Sequence, residues 1–533
     1  MRSPALDFDA ARVDAIFKDL DTCHAPGIAV GIAIKGQPLY RKAFGLACMD
    51  SPALLRTNTR MRIASTTKHF TCLALLLLCE KGNAEVDGTL GHYLPELHPV
   101  AREVTLRQLM SNTGGLRDAH DLMWQFLGRD ATLSSEELLS LYRDIADVNE
   151  APGRAWIYSN GGFLLLTAVI ERITGRSLET VLRESVLNPA GLYDTSLSRD
   201  DARFAMDRAA LHMTDATSKF RRSFLDLALA GEGGLLSTVD DLLRWLTHMN
   251  EPVIGTRETW SMLLTPQALR NGISTSYGLG LVRGRYRGIE TISHAGGLLG
   301  GNCQMLKVPA AGLDVAVISN RHDVLGMLRV NQILDACLPD LDPVPTNDTA
   351  APPRASGVYC SPTTGRTVRL FVRDGQQMAA LDGSEIPVVP DDEGVLVPPG
   401  IFDLWKYSLT LDGDPWQPTS VRLSDFGNED ELLLAKPAPE SPGTAVEGDY
   451  TSDATGIEIT IFASADGLEL TSKTPFGSAR RQLKCLAEGV WQMGAPDMLL
   501  PAGGILSFRD SDTFDFSSVA TRSLHFRRSA CRH

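Results

Sequence analysis

Residues 64–82 of this 533-residue chain read ASTTKHFTCLALLLLCEKG, in which a Ser-x-x-Lys motif stands before an unusually apolar run. The run covers residues 72–79 and Gly82 follows it, so the pattern predicts a core helix that is apolar on all sides. Residues three positions apart lie on one face of a helix, which places the Lys68 ammonium beside the Ser65 oxygen. A serine hydroxyl becomes a useful nucleophile only when an adjacent base takes its proton, so Ser65 is a candidate nucleophile.

This motif by itself is weak evidence, because a chain of this length and composition contains about one Ser-x-x-Lys by chance. The alternative interpretation is an ordinary surface serine that caps a core helix. Two further motifs in the chain favour the functional interpretation.

The second motif is Tyr-Ser-Asn at residues 158–160, which precedes a helical pattern over residues 161–174. The phenolic oxygen of Tyr158 could carry a proton between Ser65 and a leaving group if a neighbouring ammonium lowered its pKa. Asn160 could donate an amide hydrogen bond to a substrate carbonyl. Taken singly, a tyrosine in a loop is more typical of a half-buried anchor.

The third motif is His-Ala-Gly-Gly at residues 294–297, at the end of a strand pattern over residues 289–293. The small residues after His294 allow the backbone of a ligand to approach the strand closely. A lone histidine near glycines is more often a polar turn residue, but this one follows the serine and the tyrosine in a specific order.

The motifs resemble, in order and separation, those of the penicillin-recognising serine hydrolases: Ser65-x-x-Lys68, Tyr158-x-Asn160 and His294-x-Gly296. Supporting matches are LMSNTGGL at residues 109–116 and GGLLST at residues 233–238, and the similarity covers roughly residues 10–330. This family includes class C β-lactamases, D-alanyl-D-alanine carboxypeptidases, related esterases and D-aminopeptidases.

The resemblance implies a β-lactamase-like α/β catalytic domain that forms an acyl-enzyme on Ser65. Lys68 and Tyr158 would share the proton transfers, and which of them is the acylation base stays open. The backbone amides of Ser65 and Gly297 would form the oxyanion hole. The other implied site residues are His294, which would orient substrate and tyrosine, and the substrate-binding Asn160, Gly296 and Gly297.

The first residue of the third motif narrows the substrate class. The family usually has lysine there, a permanent cation suited to a substrate carboxylate, whereas a histidine with a pKa of about 6.5 is largely neutral at pH 7. His294 therefore weakens the β-lactamase and carboxypeptidase interpretations. His-x-Gly is similar to the D-aminopeptidase branch, and also to some esterases and carboxypeptidases.

The pattern of the chain predicts a multidomain fold, helices on an antiparallel sheet followed by two small antiparallel β-barrels. Around the motifs we expect a hairpin over residues 27–46, mostly helices over 62–250, strands over 277–282 (turning near Gly284), 289–293, 302–308 and 314–320, and a helix over 325–337. The expected domains are a catalytic domain at 1–338, a Pro-rich linker at 339–356 and barrels at 357–436 and 444–533.

The two predicted barrels rest on a weak internal repeat. Residues 357–365, GVYCSPTTG, recur 91 positions later at 448–456 as GDYTSDATG, and a strand pattern follows each copy. A second Pro-rich link at residues 437–442 separates them. The alternative is a coincidence between two Gly-Tyr turns.

This layout resembles the D-stereospecific aminopeptidases of the family, in which a loop from the last barrel enters the active-site cleft. The matching stretch is residues 474–481, with Phe476, Gly477, Ala479 and Arg480 as substrate-binding candidates. That branch carries an acidic residue in the loop, facing the free amine of the substrate, whereas this chain has Ala-Arg-Arg at 479–481. Glu232 could supply a carboxylate instead.

Composition excludes several other classes. A net charge of −14 argues against nucleic acid or an anionic membrane as a partner. The 11 histidines show no metal-ligand spacing, and the Gly278-x-Gly280 pair continues as a strand instead of opening a helix, so we expect no metal and no cofactor. The nine cysteines form no Cys-x-x-Cys pair. The N-terminus lacks the apolar core of a signal peptide, and we expect a cytoplasmic protein.

The sequence therefore predicts a serine hydrolase that releases N-terminal D-residues from small peptides, amides or esters. The alternatives are a broader esterase or amidase, a carboxypeptidase or β-lactamase-like hydrolase, and a non-catalytic ligand-binding module of the same shape. A homodimer is what the resemblance implies for the assembly.

Overall fold

The computed structural model of the chain describes residues 4–127, 133–201, 207–215, 217–224, 228–343, 355–399, 406–439, 445–465, 467–494 and 503–529. Within these residues, the predicted fold class is confirmed. Helices cover an antiparallel sheet in the first part of the chain, and two antiparallel barrels, one nearly closed and one closed, follow it.

A six-stranded antiparallel sheet joins the two ends of the first region. The early strand Ile28–Ile34 pairs with the late strand Leu313–Ser319, with Ile28 opposite Ser319. Both strands are buried almost throughout because helices cover both faces of the sheet, which explains their continuous apolar runs. The strand order is Val282–Tyr286, Ile289–Leu298, Gly301–Val308, Leu313–Ser319, Ile28–Ile34 and Gln37–Phe44.

Two layers of helices enclose this sheet. On one face, the first and the last helix of the region share an apolar cluster that includes Val13 and Val330. On the other face lies the larger helical layer, which holds the catalytic motifs. The α-helices are Ala10–Ile16, Lys68–Glu80, Leu90–Tyr93, Pro99–Arg102, Leu106–Met110, Ala119–Leu127, Ser135–Asp144, Asn160–Thr174, Leu178–Leu182, Val239–His248, Arg257–Leu264 and Gly326–Cys337.

Shorter elements connect the helices and the sheet. Short helical turns lie at Lys18–Leu20, Ala64–Thr67, Arg183–Leu187 and Pro309–Ala311. Short strands lie at Leu46–Cys48, Ala53–Leu54, Met61–Arg62, Ser196–Leu197, Leu211–Thr214, Phe220–Ser223 and Leu235–Ser237.

The helix predicted from the apolar run is confirmed and spans Lys68–Glu80. We call it the serine helix. Its residues from Lys68 to Leu78 are buried because other helices surround it, among them Asn160–Thr174 and Arg257–Leu264. The turn Ala64–Thr67 in front of it contacts the sheet strand Ile289–Leu298. Ser65 therefore lies where the helical layer meets the sheet.

One predicted strand is wrong. The pattern placed a strand at residues 277–282 with a turn near Gly284, but the strand is Val282–Tyr286 and its turn lies at Arg287 and Gly288. Gly280 has a φ of +81°, which interrupts the extended chain before the strand begins. Gly284 stays inside the strand, opposite Thr291.

Nine strands after residue 355 form the nearly closed barrel, which we call the middle barrel. The two end strands of its sheet, Ser384–Pro387 and Val389–Pro390, are separated only by Val388, so the sheet curls back on itself. The other strands are Gly357–Cys360, Thr367–Arg373, Gln376–Leu381, Leu396–Val397, Tyr407–Asp414, Gln417–Asp425 and Asn428–Leu434.

Eight strands form a closed barrel, which we call the last barrel. Its first strand pairs with its eighth, with Tyr450 opposite Arg528, and this pairing removes both free edges. The strands are Gly448–Thr451, Glu458–Ser464, Gly467–Thr474, Gly477–Ala487, Val490–Met493, Ile505–Phe508, Thr513–Ser517 and Leu524–Arg528.

The internal repeat occupies equivalent positions in the two barrels. Each copy contributes the first strand, with Tyr359 and Tyr450 fully buried in the two cores. Each then turns through a glycine in the left-handed region, Gly365 at φ +69° and Gly456 at φ +68°. The predicted links at 339–356 and 437–442 fall partly on 344–354 and 440–444, outside the described residues, and the predicted domain limits stay predictions.

The last barrel is closed at one end by a helix of the catalytic region. Phe126, on Ala119–Leu127, is fully buried, and its ring centroid lies 4.8 Å from that of Phe516 and 5.9 Å from that of Phe526. Its carbonyl oxygen also accepts a hydrogen bond from Ser472 of the barrel. Phe126 therefore belongs to both cores at once.

No helix among the described residues has the length and apolar character to cross a bilayer.

We expect Phe126→Ala to destabilise the protein by about 3–5 kcal/mol, because it removes a buried ring shared by two cores. The measurement is the midpoint of denaturant unfolding, with Tyr193→Ala as the control because Tyr193 is 74% exposed. Equal midpoints for both variants would contradict a shared core at this contact.

Candidate active site

Ser65 lies on a short turn whose backbone is unusual. Ala64, directly before it, has a φ of +45°, a region that residues with a side chain adopt at a cost. The turn Ala64–Thr67 then passes into the serine helix at Lys68, whose N–H donates to the Ser65 carbonyl. Ser65 is half-buried and faces a cavity of about 530 Å³.

Lys68 is fully buried and its ammonium has three acceptors. The Nζ atom donates to Ser65 Oγ at 3.2 Å, to Asn160 Oδ1 at 2.7 Å and to the main-chain carbonyl of Glu232 at 2.7 Å. An ammonium has three N–H donors, so each one has a partner. The i,i+3 contact predicted between Ser65 and Lys68 is present.

Tyr158 forms the wall beside the lysine. Lys68 Nζ lies 4.8 Å from the centroid of its ring and 5.1 Å from that of Phe163, within the range of a cation–π contact. The Tyr158 hydroxyl oxygen is buried and has no hydrogen-bond partner among the described residues. A buried hydroxyl without a partner is costly, which is typical of a group that meets a ligand.

Asn160 is held by an acidic cap on its helix. The carboxylate of Asp118 accepts from the Asn160 amide at 2.6 Å and from the Gly161 amide at 3.1 Å. The Ser159 side chain accepts from Gly162 in addition. These contacts fix the first turn of the helix, so the Asn160 side chain can reach Lys68.

His294 lies behind the cavity wall and not on its lining. Its Nδ1 is 2.6 Å from the carbonyl oxygen of Ala295, which can only accept, so Nδ1 carries the proton. The Tyr277 hydroxyl donates to Nε2 at 3.0 Å. Burial, followed by the charge of Lys68, lowers the pKa of His294 to about 3. The imidazole is therefore neutral, and both of its nitrogens are occupied.

A line of aromatic rings connects His294 with the site tyrosine. Tyr277 packs against Trp156 at 5.7 Å between ring centroids, and Trp156 packs against Tyr158 at 6.1 Å. The structure thus connects His294 with Tyr158 through two intervening rings, and it shows no direct contact of the imidazole with the cavity.

The glycines of the third motif allow the sheet strand to pass close to the serine turn. A Cβ on Gly296 would lie 2.0 Å from the Ile63 carbonyl oxygen and 3.2 Å from the Ser65 amide nitrogen, so only glycine fits there. A Cβ on Gly297 would meet nothing within 4 Å, and Gly297 lines the cavity. Backbone amides of both segments therefore lie around Ser65.

Of the residues predicted at the site, Ser65, Tyr158, Asn160 and Gly297 line the cavity. Lys68 contacts three of them, Ser65, Tyr158 and Asn160, from behind the lining. The apolar part of the cavity wall includes Trp124, Leu298, Leu299, Leu325 and Val519.

The predicted cleft loop at residues 474–481 is wrong. Thr474 is opposite Gly477, so the segment is a tight turn between two barrel strands and not an insertion. Phe476 is partly buried against the core, and the exposed Arg480 forms an ion pair with Glu469 of the neighbouring strand. None of the described residues from 474 to 481 lines the cavity, which also removes Gly477 and Ala479 from it.

Another turn of the last barrel reaches the cavity instead. Residues 518–523 connect Thr513–Ser517 to Leu524–Arg528, and Val519 and Ala520 lie on the cavity lining. We call residues 518–523 the barrel loop. The only signal in the sequence is an apolar pair within a polar turn. The middle barrel also contributes Ser384 to the lining.

Residues of the catalytic region form hydrogen bonds with hydroxyl groups and a main-chain carbonyl of the barrel loop. Asp121 accepts from the hydroxyls of Ser518 and Thr521, and Asn149 donates to the Ala520 carbonyl at 2.7 Å. Burial raises the pKa of Asp121, and the two hydroxyl donors oppose that shift. Arg522 pairs with Asp425 of the middle barrel at 2.7 Å. All three parts of the chain therefore position this loop.

Sequence reasoning missed three acidic or basic groups on the cavity wall, Asp118, His120 and Asp121. They lie just after residues 109–116, the stretch that resembles the family, and that position was the available signal. Glu232, which the sequence could not place, also lies on the lining. Among the described residues, no cluster of His, Cys, Asp or Glu has the arrangement to hold a metal ion.

Comparison with known proteins agrees with this geometry. A family model described as Beta-lactamase matches residues 13–337, more than half of the chain. The D-aminopeptidase of Brucella anthropi is 30% identical over 301 residues, which are 56% of this chain and 56% of that protein. The chain thus matches little more than half the length of this relative.

Two solved structures share the fold. The octameric penicillin-binding protein homologue from Pyrococcus abyssi aligns with a TM-score of 0.59 at 21% identity, covering 80% of this chain and 100% of its own. The D-amino acid amidase from Ochrobactrum anthropi SV3, complexed with L-phenylalanine, aligns with a TM-score of 0.53 at 22% identity, covering 61% of this chain and 98% of its own.

The neutral state of His294 has a consequence for stability at low pH. The unfolded histidine binds a proton below a pKa of 6.5, whereas the folded one binds it only below about 3. As the pH falls through this interval, protonation of His294 favours the unfolded chain and lowers the free energy of unfolding. Above the interval the residue has no such effect. We expect the free energy of unfolding to fall more steeply in the wild type than in His294→Gln between these pH values. Parallel curves from chemical denaturation would contradict a neutral buried imidazole.

Proposed function

This chain belongs to the β-lactamase family, and on that premise we propose that it is a serine hydrolase releasing N-terminal D-amino acids from small peptides, amides or esters. The observation that carries the proposal is the contact of the buried Lys68 ammonium with Ser65 Oγ at the edge of the cavity. A cavity of about 530 Å³ is in the range of small-molecule sites.

Ser65 is the proposed nucleophile and Tyr158 the proposed proton relay. Lys68 Nζ has three hydrogen-bond acceptors around it, whereas the Tyr158 hydroxyl has no partner among the described residues, so the proton relay is assigned to Tyr158. Ser65 Oγ attacks the carbonyl carbon, its proton passes through Tyr158 to the departing amine, and the C–N bond breaks. Water then attacks the ester and returns a proton to Ser65 by the same route.

The backbone amides of Ser65 and Gly297 are the proposed oxyanion hole. Support comes from the close passage of Gly296 over the Ser65 amide, which requires the absence of a side chain. Amides fixed in this way stabilise the negative oxygen of the tetrahedral intermediate without reorganising during the reaction.

The charges around the cavity favour an aminopeptidase over the related carboxylate-binding enzymes. A carboxypeptidase or a β-lactamase must hold a substrate carboxylate, but no lysine or arginine belongs to the described part of the lining. His294, the counterpart of the family lysine, is neutral. The D-aminopeptidase of Brucella anthropi supports the same choice by its name. A cytoplasmic location and a homodimer stay predictions.

The test of this function is a rate panel on D- and L-alanine p-nitroanilide, p-nitrophenyl acetate and a penicillin. We expect a strong preference for the D-anilide, and Ser65→Ala should lower kcat about a thousandfold or more because it removes the nucleophile. Ser51→Ala, at an exposed serine, is the control. Ester hydrolysis without stereopreference would support a broad esterase, rapid penicillin turnover a β-lactamase, and failure of Ser65 to become acylated a binding module.

The barrel loop is proposed to set the size limit of the substrate. Val519 is 48% exposed on the cavity wall, so Val519→Ala should raise kcat/KM for D-phenylalanine p-nitroanilide relative to the D-alanine compound about tenfold, the order expected for removing a small apolar group from a pocket. Val253→Ala, at a valine that is 77% exposed elsewhere, is the matched control. An unchanged ratio of the two rates would show that the loop does not limit substrate size.

A further inference from the structure

Three carboxylates lie on the cavity wall, and two of them have no free oxygen. Asp118 uses one oxygen to cap the helix that starts at Asn160 and the other to accept from the Asp121 amide at 3.0 Å. Asp121 uses one oxygen for the barrel loop and the other for Gln125. Both carboxylates therefore use both oxygens in hydrogen bonds within the protein.

Glu232 is different. Its Oε1 accepts from the Ala230 amide at 2.7 Å, but its Oε2 has no hydrogen-bond partner among the described residues, although the residue is only 2% exposed. An ionised carboxylate that is buried without full pairing is strongly unfavourable, and a ligand of opposite charge would remove that cost.

His120 lies beside Glu232 and is also unsatisfied. The residue is 5% exposed, and neither ring nitrogen has a hydrogen-bond partner among the described residues. Its Nε2 is 3.8 Å from Glu232 Oε1 and its Nδ1 is 3.9 Å from Asp118 Oδ1, both beyond hydrogen-bonding distance. Two independent buried groups therefore face the same part of the cavity with unused hydrogen-bonding capacity.

The ligand that fits this pair is a small organic cation. Within the described residues, no lysine or arginine lines the cavity and no cluster has the arrangement for a metal ion. Lys68, a cation behind the wall, already has three acceptors. An alkylammonium has three N–H donors and can bond to a carboxylate and an imidazole nitrogen at once.

We propose that Glu232 Oε2 and His120 form the subsite for the α-ammonium group of the substrate, an assignment that rests on the proposed function. The main-chain carbonyl of Glu232 is 2.7 Å from Lys68 Nζ, which is 3.2 Å from Ser65 Oγ. The α-nitrogen of an amino acid amide is two bonds from the carbonyl carbon that Ser65 attacks. The main chain of Glu232 thus lies next to the turn that holds Ser65, and both residues line the same cavity. The catalytic region itself, and not the hairpin at 474–481, reads the free amine.

The experiment compares two ligands of the same shape, D-alaninamide and D-lactamide, in which a neutral hydroxyl replaces the ammonium. Each competes with p-nitrophenyl acetate for acylation of Ser65 at pH 7, where an α-amine with a pKa of about 7.7 is mostly protonated. The wild type should bind D-alaninamide about tenfold or more tightly than D-lactamide, the order expected for a charged hydrogen bond.

Glu232→Gln should bring the ratio of the two inhibition constants close to one. Glutamine keeps an oxygen for the Ala230 amide and removes the charge. Glu103→Gln, which removes the same charge from an exposed position, should keep the ratio and the acylation rate of the wild type. His120→Gln should reduce the ratio in part, and it serves as the second variant if Glu232→Gln does not fold.

Equal binding of both amides by the wild type would overturn the proposal, and so would an unchanged ratio in Glu232→Gln. Competition gives an apparent affinity in either case: a dissociation constant when D-alaninamide is not hydrolysed, and its KM when it is. A wild type that prefers the ammonium but does not release D-alanine would retain the subsite and refute the proposed function. The two failures are therefore distinguishable.

Discussion

The buried ammonium of Lys68 is the constraint on which the arrangement of the site depends. A charge without contact to water must be surrounded by acceptors, and here they come from Ser65, from Asn160 and from the carbonyl of Glu232. These groups belong to a turn, a helix N-terminus and a loop that are far apart in the chain. Satisfying one cation therefore brings together the segments that form the catalytic cavity.

The acceptors of this cation are themselves held by further contacts. Asn160 is positioned because Asp118 caps its helix, and the Glu232 segment is fixed because Arg62, which is 1% exposed, donates to the Gly234 carbonyl. These contacts are buried or partly buried, so their loss would leave a charged or polar group unsatisfied. The site is thus a chain of mutually dependent polar contacts inside an apolar core.

The barrels complete the cavity from outside this core. Phe126 of the catalytic region packs into the interior of the last barrel. The barrel loop binds Asp121 of the catalytic region through Thr521, and it binds Asp425 of the middle barrel through Arg522. A turn that is held by hydrogen bonds and an ion pair can place an apolar side chain such as Val519 at a defined position on the cavity wall. The catalytic region therefore holds the three motifs, and both barrels contribute residues to the cavity wall.

The sequence by itself determined the serine helix, the i,i+3 pair of Ser65 and Lys68, and the succession of sheet and barrels, because these depend on local periodicity and on motifs with fixed spacing. Only the tertiary structure decided which barrel turn reaches the cavity and that Glu232 lies on its wall. Those outcomes depend on contacts between residues far apart in the chain, and no local pattern encodes which of several similar turns faces a neighbour. The tertiary structure also decided the protonation state of His294, because burial among distant residues, and not the motif itself, lowers its pKa.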